Sequence, residues 1–141
     1  MKQKVIKIIF CAMIVSTLSI QPLLAAGKTT KIKVTFVSAE LIENNSVGNE
    51  WWWGGYINGK EVEEGDTVVL NLKSTDTIKL KAEAQEQDKY PDDGAANATV
   101  RVSSITNKAI NKSMNVTVVE NRGRYSGNVA KVKFIFKIQK G

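Results

Sequence analysis

Alternation of apolar and polar residues with a period of two is the feature of this sequence that most restricts its fold. It is clearest in three segments: Lys31–Ser38, Thr77–Ala84 and Val129–Ile138. Successive side chains of a β-strand point to opposite faces, so this pattern is typical of strands that bury one face. No segment of the sequence has a sustained helical period. We therefore expect an all-β protein.

Weaker signals extend the same pattern along the chain. Alternation marks three more candidate strands: Thr67–Leu72, Asn97–Ile105 and Met114–Val119. The pair Asn58-Gly59 suits a tight hairpin turn with positive φ, which would join Glu50–Ile57 to Lys60–Glu63. About eight strands with turns at this spacing predict a mainly antiparallel β-sandwich, C2-like or Ig-like, in one domain of residues 27–141. A small closed barrel is the alternative.

The first 26 residues have the pattern of an export signal. Three lysines precede an apolar run, Ile8–Ile20, and small residues follow at Ala25-Ala26-Gly27. The apolar run is short for a membrane span, which needs about 20 residues. We predict a secretory signal peptide over residues 1–26, cleaved after Ala26 or Gly27, and a secreted domain without a transmembrane span.

Composition excludes several classes of function. The chain has no histidine, and its one cysteine, Cys11, lies in the predicted signal peptide. Triads that use imidazole, most zinc sites and an internal disulfide are therefore excluded for the exported chain, and we expect no enzyme. Removing the signal peptide lowers the net charge from +6 to +3. Because the remaining lysines alternate with apolar residues, we interpret them as a solvated sheet face and expect no nucleic-acid binding.

An acidic stretch, Glu86–Gly94, is the densest cluster of chemically useful side chains. Its carboxylates would repel one another unless a cation lay among them. Calcium is a suitable ion because it takes six to eight oxygen ligands in flexible geometry. In this interpretation Pro91 stiffens the stretch and Gly94 allows a sharp exit. Further oxygens could come from the neighbouring loop, from Asn44, Asn45, Asn49 or Glu50. The alternative is an ordinary exposed turn in which Lys89 partly neutralises the acids.

The order of the predicted strands places most acidic residues at one end. Loops of an antiparallel chain alternate between the two ends of the sandwich. Counting from the first strand puts ten of the 14 acidic residues in or beside loops of the same end. They are Glu43, Glu50, Glu63, Glu64, Asp66, Glu86, Asp88, Asp92, Asp93 and Glu120. This bias adds to the expectation of a cation site there.

Two segments also carry a resemblance to a known kind of domain. Val47-Gly48-Asn49-Glu50-Trp51, followed by the stretch Glu86–Gly94, resembles small bacterial secreted C2-like β-sandwiches. In that fold, acidic loops at one end hold calcium. The resemblance implies a calcium site whose ligands are Asp88, Asp92 and Asp93, with Glu86 and Asn45 as weaker candidates.

All three tryptophans are consecutive, at Trp51, Trp52 and Trp53. In a strand the first and third face one side and Trp52 faces the other. Since one side should be core, we expect at least one indole at the surface, although packing of all three is the alternative. An exposed indole suits sugar stacking, a membrane interface or a protein partner. The predicted partner-binding residues are these three and Tyr90.

These observations favour a small secreted binding module without catalytic activity. It would order the acidic stretch with Ca²⁺ and engage a glycan, the cell envelope or a protein partner. The alternative is an exported structural protein, a toxin or an immunity-type protein that needs no metal. Thermal stability would distinguish them, because a calcium-binding module is stabilised by the ion and a structural protein is indifferent to it.

Overall fold

The computed structural model describes residues 27–141, so the predicted signal peptide lies outside the described residues. Eight strands and two short 3₁₀ turns make up this part of the chain. The strands are β1 (Thr29–Asn44), β2 (Trp51–Ile57), β3 (Lys60–Val62), β4 (Thr67–Lys73), β5 (Thr77–Glu86), β6 (Asp92–Arg101), β7 (Ile110–Val119) and β8 (Val129–Lys140). The 3₁₀ turns span Val102–Ser104 and Gly123–Tyr125. Within the described range, no helix has the length and apolar character that crossing a membrane requires.

Two antiparallel sheets of four strands pack face to face. The first sheet has the order β4-β1-β8-β7 and the second β3-β2-β5-β6. The Asn58-Gly59 hairpin is present, with φ values of 47° and 80°, and joins β2 to β3. The prediction of an eight-stranded, mainly antiparallel β-sandwich is confirmed, in preference to a closed barrel.

Three phenylalanines form the centre of the core between the sheets. Phe36 of β1 stacks on Phe134 and Phe136 of β8, with ring centroids 5.7 and 5.2 Å apart. Gly55 of β2 lies directly opposite, where an added Cβ would be 2.8 Å from Cδ1 of Phe36. The second sheet therefore approaches the Phe36 ring closely because Gly55 has no side chain. Adjacent glycines in a strand, here Gly54 and Gly55, mark either a bulge or such a close approach. The register of β2 with β5 is unbroken at both residues, so this is the approach.

Strand β1 is longer than its alternation predicts, and this changes the position of one turn. Its first half pairs with β4, and its register with β8 shifts twice before it ends at Asn44. The turn between β3 and β4 lies beside the middle of β1, and Glu64 Oε1 in that turn accepts a hydrogen bond from the Ala39 N–H at 3.0 Å. That point is about 16 Å short of Asn44 at ~3.3 Å per residue. Glu63, Glu64 and Asp66 therefore lie in a turn that points toward the predicted end, because β4 runs antiparallel to β1, but the turn is set back along β1 from Asn44.

The acidic stretch becomes strand sooner than its composition indicates. Strand β6 begins at Asp92, and Gly94 pairs with Ala84 inside the strand rather than providing a sharp exit from a loop. An added Cβ at Gly94 would collide with the Thr117 carbonyl oxygen of β7. β6 and β7 are edge strands of different sheets. Their close approach covers two edges that would otherwise expose unpaired backbone groups.

Candidate functional site

The outer surface of the second sheet holds the exposed indole of the tryptophan run. We call it the Trp52 face, and it consists of these outward side chains of β2, β5 and β6: Trp52, Tyr56, Lys81, Glu83, Gln85, Asp93 and Asn97. Cross-strand pairing arranges them in rows, Trp52 with Gln85 and Asp93 in one, and Tyr56 with Lys81 and Asn97 in another. The face therefore combines two aromatic rings with amide, carboxylate and ammonium groups.

The Trp52 indole lies along the strand rather than standing away from the sheet. A Cβ added to Gly54 would be 2.9 Å from Cη2 of Trp52 and 3.5 Å from Cε2 of Tyr56. Gly54 thus provides the space in which the indole lies towards Tyr56. Trp52 remains 38% exposed. The result is an aromatic surface over the strand, with one side of the ring system open to solvent.

Tyr56, Glu83 and Lys81 form a linked polar group next to the indole. The Tyr56 hydroxyl donates to Glu83 Oε2 at 3.0 Å, and Lys81 pairs with the other oxygen of Glu83. The Lys81 ammonium also lies 5.4 Å from the centre of the Tyr56 ring, within cation–π range. Its hydrogen bond lowers the pKa of Glu83, against the effect of burial. These contacts hold the group in one arrangement beside Trp52.

A shallow hollow lies beside the indole, at the row of Gln85 and Asp93. It has a volume of about 220 Å³, and its polar lining comes from Glu83, Gln85 and Asp93. Enclosed small-molecule pockets usually have about 300–1,000 Å³. The hollow is therefore suited to one part of an extended ligand that lies across the sheet, rather than to a whole molecule held inside the protein.

The hydroxyl of Tyr56 provides a measurable signature of this arrangement. Burial and then the hydrogen bond to Glu83 raise its pKa to about 12. We expect an ultraviolet titration of the three tyrosines to show one phenolate forming near pH 12, and Tyr56→Phe to remove that step. Because the folded-state pKa exceeds the ordinary value of about 10, Tyr56 contributes stability below pH 10 that is lost as the pH rises towards 12. A titration in Tyr56→Phe that still contains the late step would contradict the assignment.

The predicted calcium ligands do not all meet. Glu86 and Asp92 form a direct cross-strand pair and are buried, with exposures of 2% and 4%. Asp93 is the next residue of β6 and faces outward, in the Trp52 face. Asp88 is exposed and its Oδ1 accepts the Tyr90 N–H at 2.6 Å. Asn45 instead donates to Glu43 at 2.9 Å. In residues 27–141, no three Asp, Glu, His or Cys side chains form a group that could hold a metal ion.

The other predicted partner-binding aromatics have different environments. Trp51 and Trp53 are half-buried against the core, and their Nε1 groups donate to Gly48 O at 3.1 Å and Glu64 Oε1 at 3.2 Å. Tyr90 is 50% exposed, and its ring lies 4.5 Å from the Arg122 guanidinium. Trp52 is therefore the most exposed of the three tryptophans.

No family model matches the chain, and no curated protein matches it. The interpretation of the site therefore depends on the geometry of its own residues.

Several residues of the Trp52 face were not identified from the sequence. Polar residues alternate with apolar ones in every strand, so no single position among these stands out in the sequence: Tyr56, Glu83, Gln85 and Asn97. One signal was nevertheless present. Tyr56 lies four positions after Trp52, and side chains an even number of positions apart in a strand lie on the same face, so the sequence places both aromatic rings together. What parity does not provide is the pairing of β2 with β5, which brings Glu83 and Gln85 beside them.

Proposed function

We propose that this protein is a secreted, non-catalytic binding module that holds a glycan on the Trp52 face. The observation that supports it most strongly is the exposed indole lying over Gly54, with amide and carboxylate side chains in the adjacent row. Sugar rings have apolar C–H faces that pack on aromatic rings and hydroxyl groups that bond to amides and carboxylates. The Trp52 face offers both kinds of group on one open surface.

The remaining parts of the proposal come from the sequence. Export is inferred from the pattern of residues 1–26, and the absence of catalysis from a chain that lacks histidine and would carry no cysteine once exported. An extended polysaccharide of the cell envelope is the ligand that best fits an open sheet face. Such a ligand can lie across several strands and does not require an enclosed pocket.

Sedimentation of residues 27–141 with insoluble peptidoglycan, chitin and β-glucan tests the proposal. We expect one of these to retain the protein, and Trp52→Ala to weaken retention by roughly 30-fold, the effect of about 2 kcal/mol that is typical of a central tryptophan. Tyr125→Ala is the matched control, because Tyr125 is an aromatic residue of similar exposure, 48%, in a turn outside the Trp52 face.

Two results would overturn the glycan assignment. One is the absence of retention on all three polysaccharides, especially if the protein self-associates in sedimentation velocity, as an exported structural protein would. The other is equal retention of Trp52→Ala and the unsubstituted protein. A loss in Tyr90→Ala but not in Trp52→Ala would transfer binding to the loops at the end of the sandwich.

A further inference from the structure

Two buried carboxylates lie side by side at the end of the sandwich, on the inner face of the second sheet. Glu86 ends β5 and Asp92 begins β6, and the two residues are direct partners in the sheet register. Side chains in such positions have Cβ atoms about 4.5–5.5 Å apart. They are the buried charged residues of the chain from Gly27 onward. An interior that is otherwise apolar therefore contains two acids together.

Hydrogen bonds satisfy part of this pair and leave one fully enclosed oxygen, Asp92 Oδ2, without a partner in the described part of the chain. Asp92 Oδ1 accepts the side-chain amide of Asn121 at 2.8 Å and the backbone N–H of the same residue at 3.3 Å. Glu86 Oε2 accepts the Asp88 N–H at 3.2 Å. Asp92 Oδ2 is enclosed and has no hydrogen-bond partner among the described residues. A buried carboxylate oxygen in this condition is unfavourable unless a cation, a proton or a bound water compensates it.

The basic residues of the domain do not compensate the pair. In the part of the chain that the structure describes, the ion pairs are Lys81–Glu83 and Lys131–Glu43. Near the acidic turn, the Lys89 ammonium and the Arg122 guanidinium both lie over the Tyr90 ring, at 5.5 and 4.5 Å from its centre. The carboxylates of Asp88 and Glu50 add further negative charge near Glu86.

We propose that Glu86 and Asp92 together bind one divalent cation, and that calcium is the ion. Calcium accepts carboxylate, carbonyl and water oxygens in flexible geometry, so two buried carboxylates can be completed by backbone oxygens and water. Magnesium demands stricter octahedral geometry. Residues 27–141 contain neither histidine nor cysteine, the residues that most often bind ions preferring nitrogen or sulfur. This site uses two of the five ligands that the sequence predicts and excludes Asp93, which is on the opposite face of β6.

The site is separate from the proposed glycan surface, and its test measures stability rather than binding to polysaccharide. Residues 27–141, which contain both sheets and the core, are unfolded thermally in millimolar calcium and in chelator. At a calcium concentration about a hundred times the dissociation constant, we expect the midpoint to rise by about 10 °C. Magnesium at the same concentration should have a smaller effect.

Adjacent aspartates of β6 provide a matched pair of variants. Asp92→Asn should lose the calcium shift and, in chelator, unfold at a higher temperature than the unsubstituted protein, because the uncompensated charge is gone. Asp93→Asn removes the same charge one residue along, on the outer face, and should keep the full shift. An equal shift in both variants would show that calcium binds elsewhere and would overturn the proposal.

Terbium provides a second measurement on the unsubstituted protein. It binds oxygen ligands as calcium does and emits when a nearby indole is excited. Trp51 is the register partner of Glu86 on the other side of β5, so we expect tryptophan-sensitised emission that calcium displaces. If Asp92→Asn does not fold, the terbium titration and the calcium-dependent rise of the midpoint, both measured on the unsubstituted protein, test whether the site binds calcium. Absence of both would overturn the site, and a metal-independent rise of the midpoint on lowering the pH from 7 to 5 would show that the pair shares a proton instead.

Discussion

Replacing Phe36 by alanine is expected to lower the free energy of unfolding by about 3–5 kcal/mol, the usual cost of truncating a buried phenylalanine. Phe36 is 1% exposed and stacks on two further phenylalanines of β8. Its removal leaves a cavity between the sheets that the neighbouring rings cannot fill without leaving their rotamers. Since whole domains have about 5–15 kcal/mol of stability, this one change removes a large part of it.

Urea unfolding of residues 27–141 measures this effect. Phe36→Leu is the milder variant, for use if the alanine variant is largely unfolded. Val37→Ala is the matched control, because Val37 is the next residue of the strand and is 43% exposed. It should change the free energy by no more than about 0.5 kcal/mol. Equal losses at the two positions would contradict the assignment of Phe36 to the core.

Gly55 allows a sharper version of the same test. Its added Cβ would be 2.8 Å from the Phe36 ring, so Gly55→Ala should destabilise the unsubstituted protein by about 1–3 kcal/mol. In the Phe36→Ala background the methyl group enters empty space, and the same substitution should be neutral or stabilising. The double-mutant cycle is then non-additive by about 1–3 kcal/mol. Additive effects would show that the two residues do not contact each other.

The strands were predictable wherever one face is core and the other is solvent. Strand β8 shows this most clearly, because its buried residues alternate without a break from Ala130 to Ile138. β6 was predicted to begin at Asn97 and begins at Asp92. Its inward positions hold Gly94 and Ala96, which are too small to produce an apolar signal. They are small because β7 lies so close, and sequence periodicity does not report such a tertiary approach.

The sequence also predicts those features of the candidate site that depend on neighbouring residues, and not those that depend on contacts between distant segments. Local parity predicts that Trp52 faces away from Trp51 and Trp53, and the structure places it so. Calcium binding itself is still a prediction. Asp92 and Asp93 point to opposite faces of the sheet because β6 begins at Asp92, and side chains alternate only where the chain is a strand. The burial of Glu86 depends on Gly48 of a distant loop, where an added Cβ would overlap the carboxylate. The pattern of residues along the sequence predicts neither the start of β6 nor the contact of Gly48 with Glu86.

The approach of β6 to β7 at Gly94 leads to the second large expected effect. Gly94 lies against the Thr117 carbonyl group and is 3.1 Å, measured from an added Cβ, from Cγ1 of Val116. Its φ is not in the left-handed region, so glycine is required here by space and not by backbone conformation. Because the obstructing atom belongs to the backbone of β7, no change of rotamer can relieve the overlap. The strands themselves must separate.

We therefore expect Gly94→Val to destabilise the domain by about 3 kcal/mol or more, the upper part of the range for overpacking. The measurement is the urea midpoint, with Ala95→Val as the control. Ala95 is the next residue of β6 and faces outward, where a β-branched side chain suits a strand, so its change should stay within about 0.5 kcal/mol. Separation of β6 from β7 would also expose two sheet edges, so Gly94→Val should aggregate on heating more readily than Ala95→Val. If the two variants unfold at the same urea concentration, the approach of β6 to β7 is looser than the structure indicates, and Gly94 is not required for space.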